Sequence, residues 1–135
     1  MEPIERRIQK NLSQKRRYYS AIGRPRQMFS SARKRAAKKG LEFSLTIEWL
    51  LEKFVEQDQK CAMTGIQFVY AKDERFTRQA FSPSLDRIDN DKGYTPENTR
   101  LVCTMYNYCR NVARDEDVEF FAWQLFQYKF GVRPK

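Results

Sequence analysis

Ser82–Asn111 reads SPSLDRIDNDKGYTPENTRLVCTMYNYCRN, and this stretch decides the fold. Leu85–Asp89 reads as a short strand, Asn90–Gly93 as a turn, Thr99–Cys103 as a returning strand, and Thr104 onward as a helix. The predicted order is strand, loop, strand, helix. Asn98 falls at the end of the loop and Asn107 nine residues later on the first helical turn, so Asp86 and Asn107 converge from two different elements. Convergent oxygen ligands suit a hard metal ion.

Two cysteine segments flank this stretch or lie within it, Cys61-Ala-Met-Thr64 and Cys103-Thr-Met-Tyr106. With them the chain resembles the HNH endonucleases, a ββα-metal (His-Me finger) family that cuts nucleic-acid phosphodiesters. The resemblance covers about residues 60–114. In that family the first strand carries an Asp-His pair, the Asp binding metal and the His activating water; here the pair reads Asp86-Arg87. The family's central loop asparagine is matched by Asn98, and its helix His or Asn by Asn107. Many members hold a structural zinc between two Cys-x-x-Cys knuckles, of which this chain keeps only Cys61 and Cys103. A structural zinc site needs four N or S ligands, and the chain has no histidine, so no structural zinc is expected.

The resemblance implies an α+β fold, a ββα-metal hairpin-helix motif set in a mainly helical small domain. It implies Mg²⁺ or Mn²⁺ held by Asp86 and Asn107, with Arg110, one helical turn on, reaching a phosphate oxygen. The general base is the open point, because a guanidinium does not take a proton from water near neutral pH. Asp89 is the leading candidate, Tyr94 and Tyr70 are alternatives, and the metal acting without a protein base is another. Arg87 then suits a phosphate clamp. Taken singly, Asp86 could equally be a strand-end carboxylate paired with Arg87 or Arg100, and Asn98 and Asn107 simple capping residues.

Charge is distributed unevenly. Residues 1–40 hold 13 Lys and Arg against 2 Glu, a net of +11 in a chain of net +9, so the remaining 95 residues carry −2. Clusters such as Lys15-Arg16-Arg17 and Arg33-Lys34-Arg35 with Lys38-Lys39 repel one another unless a polyanion lies against them, and a nucleic-acid backbone is such a polyanion. The chain thus divides into a basic helical nucleic-acid-binding extension, 1–40, and an HNH-like domain, 41–135. Arg16, Arg17, Arg33, Lys34, Arg35, Lys38 and Lys39 are its candidate phosphate contacts; Tyr18 and Tyr19 could stack on bases or pack internally.

Helices are predicted near 3–20 and 27–39, broken by Gly23-Arg24-Pro25 and stopped by Gly40. A further helix follows Thr46, with Ile47, Leu50, Leu51, Phe54 and Val55 at core-facing spacing and Trp49 at its edge. Ile66–Tyr70 reads as a short strand and 71–80 as a polar loop. Asp115-Glu116-Asp117 opens a last helix whose apolar residues should close the core, with a partner surface as the alternative. Three cysteines, no hydrophobic leader and no membrane-length run argue for a reducing, cytoplasmic setting. The expected partner is duplex DNA first and RNA second, with phage and mobile elements the family's common setting. The function expected is metal-dependent phosphodiester hydrolysis; the alternative is a degenerate HNH module that binds nucleic acid or builds a nucleoprotein assembly.

Overall fold

The computed structural model describes residues 3–70 and 79–131, and of residues 3 and 7–22 it describes the backbone alone. The described chain runs α1 (Pro3–Lys39), α2 (Ile47–Glu56), β1 (Pro83–Arg87), β2 (Thr99–Cys103), α3 (Thr104–Arg110) and α4 (Asp115–Phe130). The expected α+β hairpin-helix motif is present: β1 pairs antiparallel with β2, and α3 leaves the end of β2 directly. The register sets Asp86 opposite Arg100 and Leu85 opposite Leu101. Leu85, Leu101 and Val102 turn inward and meet Leu50 and Phe54 of α2 and Met28, Ala32 and Ala36 of α1 in one core. The polar loop expected at 71–80 lies, for 71–78, outside the described residues.

One prediction about α1 is corrected. Gly23-Arg24-Pro25 does not divide it; a single helix of 37 residues runs through Pro25. An interior proline removes one N–H and crowds the preceding turn, at a cost of about 3 kcal/mol. Here the Pro25 ring is fully buried, and Met28, Ala32 and Ala36 continue from it on the same face at i+3, i+7 and i+11. Burial of that stripe offsets the break, and the two alanines let the helix axis approach the hairpin closely. Gly40 ends α1 as expected, in the left-handed region at φ +67°.

Thr46 caps α2 through its Oγ1, which accepts the Trp49 N–H at 3.0 Å. The buried stripe is narrower than its spacing predicts: Leu50 and Phe54 are inside, Ile47 and Trp49 pack partly, and Leu51 and Val55 face outward. Ile66–Tyr70 is not a strand. It is tied by one bridge, Lys60 to Gln67, and by single backbone bonds to different partners, Cys61 N–H to Ile66 O, Phe68 N–H to Gln59 O and Val69 N–H to Phe81 O, which do not add up to a continuous ladder.

Residues 41–44 lie extended against the β1–β2 loop. Tyr94 donates its N–H to Glu42 O and accepts the Ser44 N–H. The approach is so close that a Cβ at Gly93 would run into the Glu42 carbonyl, which explains the glycine there. The last correction concerns α4: none of its residues is buried, and only Val118 packs against the core. Among the described residues no helix is long and apolar enough to cross a membrane.

Candidate active site

Strand alternation sends Ser84 and Asp86 to the same face of β1, and α3 begins immediately after β2, so its first turn lies over that face. Asn107 Nδ2 donates to Ser84 Oγ at 2.9 Å. Its side-chain oxygen has no hydrogen-bond partner among the described residues. Ser84, Asp86, Arg87, Asn90, Tyr94, Asn107, Tyr108 and Asn111 form one side of a cavity of about 680 Å³, and Arg35 and Lys39 of α1 enter it from the other. Asp86, Arg87 and Asn107 are thus brought together; Asn98 and Asp89 are not on this wall.

Asp86 is 2% exposed and held from two directions. Arg100 Nε donates to Oδ2 at 2.9 Å and Arg110 Nη2 to Oδ1 at 2.5 Å. Arg100 also forks onto Asp115, at 3.0 and 2.7 Å, and Tyr106 Oη donates to the same carboxylate at 2.5 Å. Two carboxylates and two guanidiniums therefore form a quartet of zero net charge, buried at Asp86 and Arg110 and half-buried at Arg100 and Asp115. The Arg100 donors hold the Asp115 carboxyl below its ordinary value of 3.8, against the opposing effect of burial. The Tyr106 phenol is pushed up by burial and by that carboxylate.

Arg110 does not reach the surface as a phosphate contact must. It is 3% exposed, bonds Asp86 and the carbonyls of Arg87, Ile88 and Ala113, and so latches α3 to the end of β1. A buried carboxylate next to the core residue Leu85 needs a buried cation, and α3 supplies it. Arg87 is half-buried at the mouth of the cavity. One of its nitrogens bonds Asn90 O at 2.6 Å and Lys92 O at 2.9 Å, and its guanidinium lies 5.5 Å from the Tyr94 ring centroid.

Asp89 is corrected as a base candidate by its position. β1 ends at Arg87, so the two-residue alternation that would align Asp89 with Arg87 stops before it. Its carboxylate turns outward and accepts the Asp91 N–H at 2.9 Å. Tyr70 is also away from the cavity; it donates to Gln59, and burial pushes its pKa up to about 12. Tyr94 is the expected alternative that lines the cavity.

Asn98 is buried within the loop. Its Oδ1 accepts the Asp89 N–H at 2.9 Å, and its Nδ2 donates to the carbonyls of Asp89 and Gly93 at 3.0 and 2.9 Å. It positions the loop that carries Asn90 and Tyr94 to the cavity and whose carbonyls hold the Arg87 guanidinium. Ser84, Asn90, Tyr108 and Asn111 were not anticipated. Ser84 was findable, since it sits two residues before Asp86 on one strand face; Tyr108 and Asn111 follow Asn107 on the same helix end.

Of the basic residues, Arg33, Lys34, Arg35, Lys38 and Lys39 are all exposed, and Arg35 and Lys39, one turn apart, face the cavity. Arg33 instead stacks on Phe29 at 5.7 Å. Arg16, Arg17, Tyr18 and Tyr19 have side chains outside the described residues. A smaller cavity of about 250 Å³ adjoins the first, shares Arg35, Ser84, Leu85 and Tyr108 with it, and adds Arg24, Gln27 and Ser31. Arg24 Nε is buried there without a hydrogen-bond partner. One polar face of α1 therefore runs along both cavities.

Cys61 and Cys103 are buried side by side, the Cys103 thiol donating to Cys61 and lowering its pKa while its own rises. Thr64 also hydrogen-bonds Cys61, in the position where a second knuckle cysteine would stand. Among the described residues no three His, Cys, Asp or Glu side chains group as a metal site.

The backbone as a whole has a solved counterpart. The structure of the rare-cutting HNH restriction endonuclease PacI aligns over 81% of this chain and 82% of its own, with a TM-score of 0.57 and 19% sequence identity. The fold is that of an HNH nuclease. No family model matches the sequence, and no curated protein matches it. The HNH fold accounts for the order of the elements: its hairpin and following helix are β1, β2 and α3 here.

The cavity donors are compatible with a hard divalent ion. Its candidate ligands are oxygens, of which Asn107 Oδ1 has no hydrogen-bond partner among the described residues, while both Asp86 oxygens already accept an arginine N–H that an ion would have to displace.

Proposed function

We propose that the chain is a divalent-metal-dependent HNH endonuclease that hydrolyses phosphodiester bonds of nucleic acid, duplex DNA ahead of RNA. The observation that carries this reading is the cavity in which Asp86 and Asn107 face Arg35 and Lys39. One wall offers oxygens to a cation, and the other offers cations to a phosphate backbone. The description of PacI as a DNA restriction endonuclease supports duplex DNA as substrate.

Mg²⁺ or Mn²⁺ would be held by the Asp86 carboxylate and Asn107 Oδ1, and when bound it supplies stabilisation of the charge that builds on the phosphorane and the departing oxygen. The residues of this chain do the rest. Arg35 and Lys39 dock the phosphates on either side of the cut, and Arg24 continues that contact along α1. Arg87 has one nitrogen committed to the loop and turns its remaining N–H groups to a non-bridging oxygen of the scissile phosphate. Tyr94, beneath that guanidinium, is the wall group that holds the attacking water by a hydrogen bond, and the water's proton leaves to solvent. Asn98 keeps Arg87 and Tyr94 in register by holding the loop closed.

The test is nicking of supercoiled plasmid by the wild-type chain and by Asn107→Ala, across Mg²⁺, Mn²⁺ and EDTA. Metal-dependent relaxation lost in Asn107→Ala is the expected result. Plasmid that is retained in a gel shift but never nicked, under either metal, refutes the enzyme. A second reading, a binding module without cleavage, is favoured by one observation: both Asp86 oxygens already accept an arginine N–H. That reading predicts binding by both chains and relaxation by neither.

A further inference from the structure

We propose that the smaller cavity beside the candidate active site is a second phosphate subsite, which holds the phosphodiester next along the strand from the one in the main cavity. It rests on the reading of the main cavity as the seat of a nucleic-acid phosphate, and adds which neighbouring phosphate is gripped and by which residues. Arg24, Gln27, Ser31 and Arg35 line the smaller cavity from α1, and Thr104 lines it from the start of α3. On an α-helix, positions seven and eleven residues on return to within about 20° of the starting side. Arg24, Ser31 and Arg35 therefore form one row, beside the buried row of Met28, Ala32 and Ala36.

The donor set points to an anion. The walls carry two guanidiniums and no carboxylate, whereas the main cavity has Asp86 in its wall. A cation entering meets repulsion alone, and an anion meets two planar forks suited to phosphate oxygens. Arg24 is moreover bound to nothing that the chain supplies. Its Nε–H is buried without an acceptor, and it makes no hydrogen bond or ion pair among the described residues. Arg110, by contrast, is buried against the Asp86 carboxylate. A charge held in place by burial and left without a counter-charge is half of an ion pair whose other half comes from outside.

The position of the cavity selects the source of that anion. The two cavities share Arg35, Ser84, Leu85 and Tyr108, so the occupant of one abuts the occupant of the other. Consecutive phosphates of a strand are anions presented side by side at a fixed separation. Tyr108 is 65% exposed and lines both cavities, where its ring meets the nucleoside that joins the two phosphates. A phosphodiester with such a neighbour fills both cavities, and a lone one fills a single cavity. The chain thus selects consecutive phosphates without reading a base.

Metal-free binding in EDTA at low salt tests the subsite. The ligands are the thymidine dinucleotide, with one phosphodiester, and the thymidine trinucleotide, with two, followed by nitrogen–proton NMR of the arginine Nε–H groups. The second phosphodiester is expected to tighten binding about tenfold and to move the Arg24 signal. Arg24→Gln is expected to lose that gain and to unfold at no lower temperature than the wild type, because Arg24 has no partner within the chain to lose. If Arg24→Gln does not fold, Ser31→Asp, which puts a carboxylate into the cavity, is expected to lose the gain instead. A chain that binds neither oligonucleotide, or a gain that survives both substitutions, overturns the proposal. So does an Arg24 signal that inorganic phosphate moves at lower concentration than the trinucleotide does, which would make the cavity a site for a free anion. Because no metal is present, failure to nick plasmid would sink the nuclease reading and leave this result standing, and loss of the trinucleotide gain would leave the nicking result standing.

Discussion

The hairpin with α3 and the helix α4 invert the ordinary rule of burial in opposite senses. The first region places Asp86, Asn98, Thr99 and Arg110 inside; the second, separated from α3 by four residues, places none of its apolar side chains inside. The polar interior is satisfied from within for its charges and its amide, because Asp86 meets Arg100 and Arg110 and Asn98 meets three backbone groups, while Thr99 Oγ1 and Arg110 Nε are left without a hydrogen-bond partner. The apolar exterior is not, because nothing in the described chain covers Phe126 or Tyr128. Inversion that is satisfied internally builds a site; inversion left open requires another surface.

The largest expected effect tests that contrast directly. Asp86→Ala leaves the buried Arg110 without its carboxylate and takes one of the two carboxylates of Arg100, and is expected to cost about 3–5 kcal/mol, whereas Phe120→Ser, on an exposed position, stays within about 0.5 kcal/mol in the monomer. Urea unfolding at low protein concentration measures both. Equal midpoints would mean the quartet does not hold the hairpin. The same expectation disqualifies Asp86→Ala as a test of catalysis, since lost activity would report lost fold.

Asn107→Ala separates site from scaffold. Its amide contributes one partly exposed hydrogen bond to Ser84, so stability should fall by about 1 kcal/mol or less. Nicking should fall by about two to three orders of magnitude, as when a group that stabilises transition-state charge is removed. A loss of activity no larger than the loss of folded chain would return Asn107 to a purely structural role.

Much of this was legible in the sequence because it is local. The turn residues and period-two runs of 82–103 place the hairpin, and the nine-residue interval puts Asn107 on α3. What was not legible depends on contacts distant in sequence. The arginines that clamp Asp86 follow from the strand register, which pairs it with Arg100 and brings α3 back over β1. Asp89 was misplaced by extending the strand two residues too far. The break expected at Pro25 is a sound local rule overridden by burial of the ring. For α4 the pattern shows that the helix must be covered, and it carries no sign of whether the cover is the chain's own core or another copy.

A smaller effect sharpens the view of α1. Arg35→Ala with Lys39→Ala removes two phosphate contacts and should flatten the dependence of log affinity on log salt by about 2. Lys34→Ala with Lys38→Ala, on the same helix but off the cavity, should weaken binding by less. Equal effects would show that the cavity has no privileged place on the basic face.

The smallest effect falls where the two regions join. Asp115 is the first residue of α4, yet its carboxylate belongs to the quartet of the hairpin, bonded by Arg100 and Tyr106. Arg100 lowers its folded pKa below the ordinary 3.8. The contribution is therefore fully present above the unfolded value and is lost as pH falls through the folded one. Asp115→Asn cannot titrate, so the difference between its urea midpoints at pH 7 and at about pH 3 should be smaller than in the wild type. Its midpoint at pH 7 should be modestly lower, because Arg100 loses a charged partner. An unchanged acid response would mean that α4 is held to the hairpin by Val118 packing alone, and that the ion pairs around Asp115 do not couple the site to the helix beyond it.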